Sequence, residues 1–218
     1  MINMRDTRKD SEYFGRYISY ESSRIQKWKA KLNGEIELPK KKKIALFLMN
    51  SQMNDLIASF SYGKAADSLA EKLCELVSTT GLVDILPYEV QLRLLSFSIM
   101  LNRVDISAKI DSRKLCLHDK LINSLWTYIS SGTVCWKGEL LFTSFNRLDD
   151  VFLEKNEKAM LNYLDGWYAN NASSSWYNSH MSDSEIYNGY WSFESAAISK
   201  MLSLNESILE ENPYYPVV

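Results

Sequence analysis

The chain has 218 residues, 46% hydrophobic and 24% charged, a balance that excludes disordered and fibrous architectures and allows one large domain or two small ones. Eight Gly and four Pro are too few for the turns of a sandwich or barrel, and two His with three Cys supply a structural zinc site or a disulfide framework poorly. The net charge of -2 is unevenly spread: residues 1–43 hold 12 Lys/Arg against 6 Asp/Glu, residues 44–138 balance, and residues 139–218 hold 4 against 12.

The N-terminal stretch MINMRDTRKDSEYF has no apolar core of leader length. The longest strongly apolar run, Ile44 to Met49, is far short of the roughly 20 residues that cross a bilayer. Cys74, Cys116 and Cys135 are odd in number and have no metal or redox spacing, which predicts reduced, mostly buried thiols in a cytoplasmic protein.

In chain order, Tyr13, Phe14, Tyr17, Ile18, Ile25, Trp28 and Leu32 recur at spacings of three, four and seven and predict an amphipathic helix over Asp10–Leu32, stopped by Asn33-Gly34. Lys40 to Lys43 lead into a second helix, Ile44–Phe60, with Phe47, Leu48, Leu56, Ile57 and Phe60 on one broad face. The lysines read as the wet first turn of that helix, although four cations there oppose its macrodipole. A third helix spans Lys64–Ser78. A fourth, Tyr88–Leu101, starts after Pro87 with Val90, Leu94, Phe97 and Leu101 inward. Asn102–Arg113 reads as a short helix or loop, and a soft boundary at Ser112 divides an N-terminal helical domain, 1–112, from a C-terminal one, 113–218.

The second half predicts helices over His118–Ser131, Glu139–Arg147, Glu157–Tyr168 and Trp191–Leu202, with one more turn at Asn205–Leu209. Leu161, Leu164 and Tyr168 mark the inward face of the third helix in this set. Asn170–Ser175 is a polar loop of small residues. The fold class is all-α: a compact, bundle-like arrangement of two helical halves packed together. Nothing in the sequence sets an oligomeric state.

Few constellations carry chemistry. There is no phosphate-binding glycine loop and no nucleophile elbow. His118 and His180 lack a ligand partner at a familiar spacing, so no metal or cofactor is expected. Asp149, Asp150, Glu154 and Glu157 form an acidic row near a helix start. An acid–base pair in an aromatic cleft is one meaning; a solvated helix N-terminus that welcomes negative charge is the cheaper one. Residues 176–216 hold Trp176, Tyr177, Tyr187, Tyr190, Trp191, Tyr214 and Tyr215. They predict an aromatic minicore in which the Tyr-Tyr-Pro tail packs on the Trp191 helix, with His180 and Glu194 available to the polar ring tips.

Gly189-Tyr190-Trp191-Ser192-Phe193-Glu194-Ser195-Ala196-Ala197, followed by Asn212-Pro213-Tyr214-Tyr215-Pro216, resembles the C-terminal signature of the PoNi-like family, immunity proteins against polymorphic nuclease effectors of bacterial secretion systems. Trp176 and His180 fit the same pattern. Arg5-Asp6, Asp10, Tyr13-Phe14 and Tyr17-Ile18 resemble the start of the family's N-terminal domain. Family members commonly continue the Tyr-Tyr-Pro with a polar, acidic tail, where this chain has Val217-Val218.

The resemblance implies an all-helical cytoplasmic protein that binds and blocks a cognate DNase toxin of a contact-dependent or type VI secretion system. It transfers no catalytic residues. Trp176, His180, Tyr190, Trp191, Glu194, Tyr214 and Tyr215 are then expected to hold the fold, because specificity that differs between relatives is poorly encoded in a shared motif. The toxin-binding residues expected are Asp149, Asp150, Glu154 and Glu157. An acidic stretch suits a basic protein partner better than nucleic acid, and no membrane contact is expected. Two other readings are a helical hydrolase using an acidic pair and a nucleic-acid binder using Lys40 to Lys43.

Overall fold

The spacing of apolar residues builds ten α-helices and three short 3-10 turns, with no strand among the described residues. The structure is a computed structural model that describes residues 4–218; residues 1–3, the start of the stretch searched for a leader, lie outside it. The chain forms two units. The first holds the chain to Leu86 together with Asn178–Gly189; the second holds Pro87–Tyr177 and Tyr190–Val218. Ser112, where the sequence places its soft boundary, lies in the second unit, in the 3-10 turn Ser112–Lys114.

In the first unit, α1 (Ser11–Gly34), α2 (Leu38–Ser61) and α3 (Ala66–Thr80) pack in sequence, α1 on α2 and α2 on α3. Asp10 caps α1, its carboxylate accepting the Tyr13 N–H at 2.8 Å. Tyr13, Phe14, Tyr17 and Ile25 are buried as their spacing predicts, while Trp28 and Leu32 near the end are half-buried. α2 begins about six residues before its predicted start. Pro39 in its first turn has no N–H to leave unsatisfied, so the lysine run falls inside the helix. Phe47, predicted inward, is exposed.

In the second unit, α4 (Tyr88–Met100) packs against α5 (Val104–Ser107), α6 (Lys120–Ser131) and α9 (Phe193–Leu202). α7 (Leu148–Glu154), α9 and α10 (Glu206–Leu209) pack on α8 (Glu157–Asn170). α6 starts after Asp119, its N-cap, and leaves His118 exposed before it; Gly132 ends it at a φ of 71°.

The helix predicted over Glu139–Arg147 is absent. Only Thr143–Phe145 makes a 3-10 turn, and α7 starts at Leu148 instead. The cause is Asp119, whose second carboxylate oxygen accepts the Leu141 N–H at 2.9 Å while the Lys120 N–H reaches the Glu139 carbonyl at 2.8 Å. These bonds draw the strip beside Glu139 into an isolated bridge with Asp119 and take the Glu139 carbonyl that a helix over this stretch would use. α8 is rotated from its predicted phase: Ala159, Met160, Tyr163, Leu164 and Trp167 are buried, and Leu161 and Tyr168 only half so. Gly166 lies within α8 under the flexible end of the Arg147 side chain: Nη1 sits 2.8 Å from where a Cβ would stand and donates to the Asn162 carbonyl at 2.9 Å.

All three cysteines are free, and each is half-buried rather than buried. No helix among the described residues is long and apolar enough to cross a membrane.

Candidate functional site

The signature segment is organised around one carboxylate. Glu194, in the first turn of α9, is buried, and its Oε1 accepts from Tyr163 Oη at 2.6 Å, Trp167 Nε1 at 2.7 Å and Ser192 Oγ at 2.7 Å. Burial, and then the adjacent carboxylate, push the Tyr163 phenol well above its usual range, so it stays a neutral donor. The tail joins at the same place: the Ser192 N–H donates to the Tyr214 carbonyl at 2.9 Å. Tyr214 lies 5.4 Å from the Trp167 ring and stacks on Tyr168 at 5.5 Å. Trp176 stacks on Trp167 at 5.3 Å and meets Tyr190 at 5.5 Å. Tyr190, Trp191 and Tyr215 are buried; Trp176 and Tyr214 are half-buried. Glu194 does take aromatic tips as partners, but they belong to Tyr163 and Trp167 of α8, outside the signature.

His180 and Tyr187 lie in the first unit, on the returning segment Asn178–Gly189. There the N-terminal motif does its work. The Tyr13 phenol donates to the Tyr187 carbonyl at 3.0 Å and accepts the Tyr187 N–H at 2.9 Å. The Tyr187 phenol donates to the buried Asp6 carboxylate, which also holds Arg8. Arg5 donates to the carbonyls of Phe60 at 3.1 Å and Lys64 at 3.0 Å, closing the end of α2. His180 lies edge-on to the Tyr187 ring at 6.1 Å. Asn178 and Gly189, which bound the segment, have φ of 58° and 126°. The signature glycine is therefore a backbone requirement, since that φ strains any residue with a Cβ.

The acidic row is divided between two helices. Asp149 and Asp150 open α7, Glu154 ends it, and Glu157 opens α8. Asp149 accepts from Lys120 Nζ at 2.8 Å and from Trp136 Nε1 at 2.7 Å. Partial burial would raise its carboxyl, but these two donors hold it below its usual value. Trp136 is itself stacked on Phe152 at 3.9 Å. Glu157 accepts the Asn205 N–H at 2.8 Å, which also lowers it. Glu154 accepts from the side chain of Asn156 close by, at 3.2 Å. Asp150 and Glu154 are exposed, and the exposed Leu153 lies beside them.

The sequence reading missed Asp119, which is fully buried and takes three donors: Ile122 N–H at 2.8 Å, Tyr88 Oη at 3.1 Å and the Leu141 N–H. Its position just ahead of an apolar run was a capping signal; its other two partners are set by the fold. No group of three or more His, Cys, Asp or Glu among the described residues is arranged to hold a metal ion.

Residues 117–217 match the family model described as PoNe immunity proteins (PoNi), C-terminal. Protein PA2201 from Pseudomonas aeruginosa, known from a crystal structure, superposes with a TM-score of 0.78 over 98% of this chain and 88% of its own at 14% identity. That likeness establishes a shared helical fold. No curated protein matches the chain.

Proposed function

From the premise that residues 117–217 belong to the PoNi immunity family, we propose that the protein binds and neutralises a cognate DNase effector. It acts by occupying the toxin, with no catalysis of its own. The family implies immunity to a nuclease effector; delivery of that effector by a type VI or contact-dependent system, and residence of the immunity protein in the cytoplasm where the toxin arrives, complete the reading. The chain is read as two modules, 1–112 and 113–218, and the family match beginning at residue 117 supports that division.

The single observation that carries the reading is the family match, and the charge distribution supports it. A DNase must present positive charge to phosphates, and residues 139–218 hold 12 Asp/Glu against 4 Lys/Arg. The toxin-binding residues proposed are Asp149, Asp150, Glu154 and Glu157. They are weighted unequally in this reading: Lys120 offsets the charge of Asp149, whereas Glu157 accepts only a neutral backbone N–H and, with Asp150 and Glu154, carries more of the steering field.

The test is co-expression and pull-down with the nuclease encoded beside this gene, followed by stopped-flow mixing. Association should slow as salt rises, because screening shortens the field to about 8 Å at physiological ionic strength. Changing the four carboxylates to amides should slow association more than it speeds dissociation. Capture of the nuclease with an association rate indifferent to both would place the docking surface elsewhere. Failure to capture or inhibit it would remove the function itself.

A further inference from the structure

The turn end of the α1–α2 hairpin carries a groove of about 360 Å³ that the immunity reading does not use. Its apolar wall is Trp28, Ile44 and Phe47, with Trp28 stacked on Phe47 at 5.0 Å. Its rim is cationic: Lys31 from the end of α1, Lys40 and Lys43 from the start of α2. Close by in the chain, between the lining residues Glu35 and Lys40, stand two strongly exposed aliphatic side chains, Ile36 in the connecting loop at 89% and Leu38 at the start of α2 at 61%.

Three features set this groove apart from ordinary solvated surface. The lysine run sits in the first turns of α2, where the macrodipole opposes cations, and the N-cap, Glu37, makes no side-chain capping bond there. Some of that charge is already matched, Lys40 by Glu37 at 3.0 Å and Lys42 by Asp84 at 2.6 Å. Glu35, the one acidic residue in the lining, turns back to accept the N–H groups of Ile36 and Glu37, both at 2.9 Å. Lys31 and Lys43 are left on the rim, Lys31 lying over the Trp28 ring at 4.9 Å. Finally, the Trp28 indole N–H is enclosed without an acceptor among the described residues, one of several such buried polar atoms but the one that belongs to a residue lining this groove.

We propose that this groove is a second docking surface, and that its occupant is an acidic segment of a partner protein carrying an apolar anchor side chain. The anchor rests in the groove against Ile44 and the outer edges of the stacked Trp28 and Phe47 rings. Carboxylates pair with Lys31 and Lys43, and with Lys40 in exchange for Glu37, and one reaches the Trp28 N–H. Nucleic acid fits less well: Phe47 covers one face of Trp28 and ammonium groups lie over the ring, so no open π-face remains for a base. Exposed Ile36 and Leu38 also suit an apolar side chain better than a phosphate backbone.

The test uses the full chain and no nuclease. The probe is a short fluorescein-labelled peptide of Asp and Glu with a central Leu-Phe pair, followed by fluorescence anisotropy. Saturable binding is expected. It should weaken about tenfold when Lys31, Lys40 and Lys43 are changed together to Gln, three exposed charges that need not disturb the fold, and should weaken as well in Phe47→Ser. The Trp28 indole N–H resonance, assigned through Trp28→Phe, should move on titration. Equal binding of a peptide with Ser-Ser in place of Leu-Phe would reduce the groove to a patch of charge and overturn the proposal. So would tighter binding of single-stranded DNA of matched charge, an unmoved Trp28 resonance, or concentration-dependent self-association abolished by the lysine changes, which would make a second copy the occupant.

Discussion

Glu194 offers the most exacting test of how the second unit is held together. One oxygen, buried and at hydrogen-bond distance from three donors, is the acceptor for Tyr163, Trp167 and Ser192 at once. Glu194→Ala removes that acceptor and strands all three. A stranded buried donor costs about 1–3 kcal/mol; the two hydroxyls can rotate towards other acceptors, whereas the indole N–H of Trp167 is fixed by its ring. The lower part of that range applies to the hydroxyls and the upper part to the indole, so the loss should be about 4–5 kcal/mol, a large share of the roughly 5–15 kcal/mol that holds a typical domain. At about 2–4 °C per kcal/mol for a chain of this size, the melting temperature should fall by about 10 °C or more. Glu194→Gln keeps an oxygen in place and loses only the charge assistance, which is about half the strength of such bonds, so it should cost about 1–2 kcal/mol. Urea unfolding followed by far-UV circular dichroism measures both, and near-UV dichroism reports whether Trp167 keeps a fixed environment. Equal losses below about 1 kcal/mol in the two variants would show that the three bonds do not organise the site, and that apolar packing around α8 does.

Tyr187→Phe removes the phenol that donates to buried Asp6 and should cost about 1–2 kcal/mol, read as faster amide hydrogen exchange across Asn178–Gly189. Gly189→Ala, at a φ of 126°, should destabilise by about 1–3 kcal/mol, whereas Gly15→Ala, an exposed helical position with open space around its Cβ, should stabilise by about 0.5–1 kcal/mol; thermal melts of the two should move in opposite directions. Trp191→Ala should cost about 3–5 kcal/mol and lower the melting temperature before it weakens toxin affinity; full stability with lost binding would make Trp191 an interface residue. Burial raises the Glu21 carboxyl despite Arg24, Asn54 and Ser51 beside it, so its protonated form is favoured by folding and the charged form costs stability above the folded pKa. Glu21→Gln should therefore be at least as stable as the native chain at pH 7, and the difference should close as pH falls through the carboxylate range to below the unfolded value of about 4.3; a variant that loses stability at neutral pH would reverse that assignment.

Most of the helices were legible because their signals are local. Asp10 and the Tyr13–Phe14–Tyr17 spacing define the start of α1 from neighbouring residues, and Pro87 and Gly132 mark boundaries by backbone chemistry alone. What escaped was set by partners distant in sequence. The strip around Glu139 has enough apolar residues for a helix, but its backbone is drawn to Asp119, about 20 residues earlier. α8 is rotated because Tyr163 and Trp167 turn inward to reach Glu194, some 30 residues later. The return of Asn178–Gly189 to the first unit rests on Tyr13 and Asp6, more than 170 residues away. In the aromatic segment the residue types were legible as a packed cluster, yet no spacing distinguishes which tyrosine meets which carboxylate.

The same geometry bears on where recognition can evolve. A side chain that holds internal donors cannot also meet a toxin cation without leaving something unpaired: drawing the Glu194 carboxylate outward would strand Tyr163, Trp167 and Ser192, and drawing Asp6 outward would strand Tyr187 and Arg8. Each is therefore a costly place to alter specificity. Asp150 and Glu154 are different. They are exposed, Glu154 accepts from the side-chain amide of Asn156, the cap of α8, and substitution at exposed positions typically changes stability by no more than about 0.5 kcal/mol. A small change there can still alter an association rate through the field it contributes. On the function proposed above, a chain that must keep one fold while matching a changing toxin would vary on the outer face of α7, provided that Asp149 remains paired with Lys120 and Trp136, whose stack on Phe152 anchors that helix.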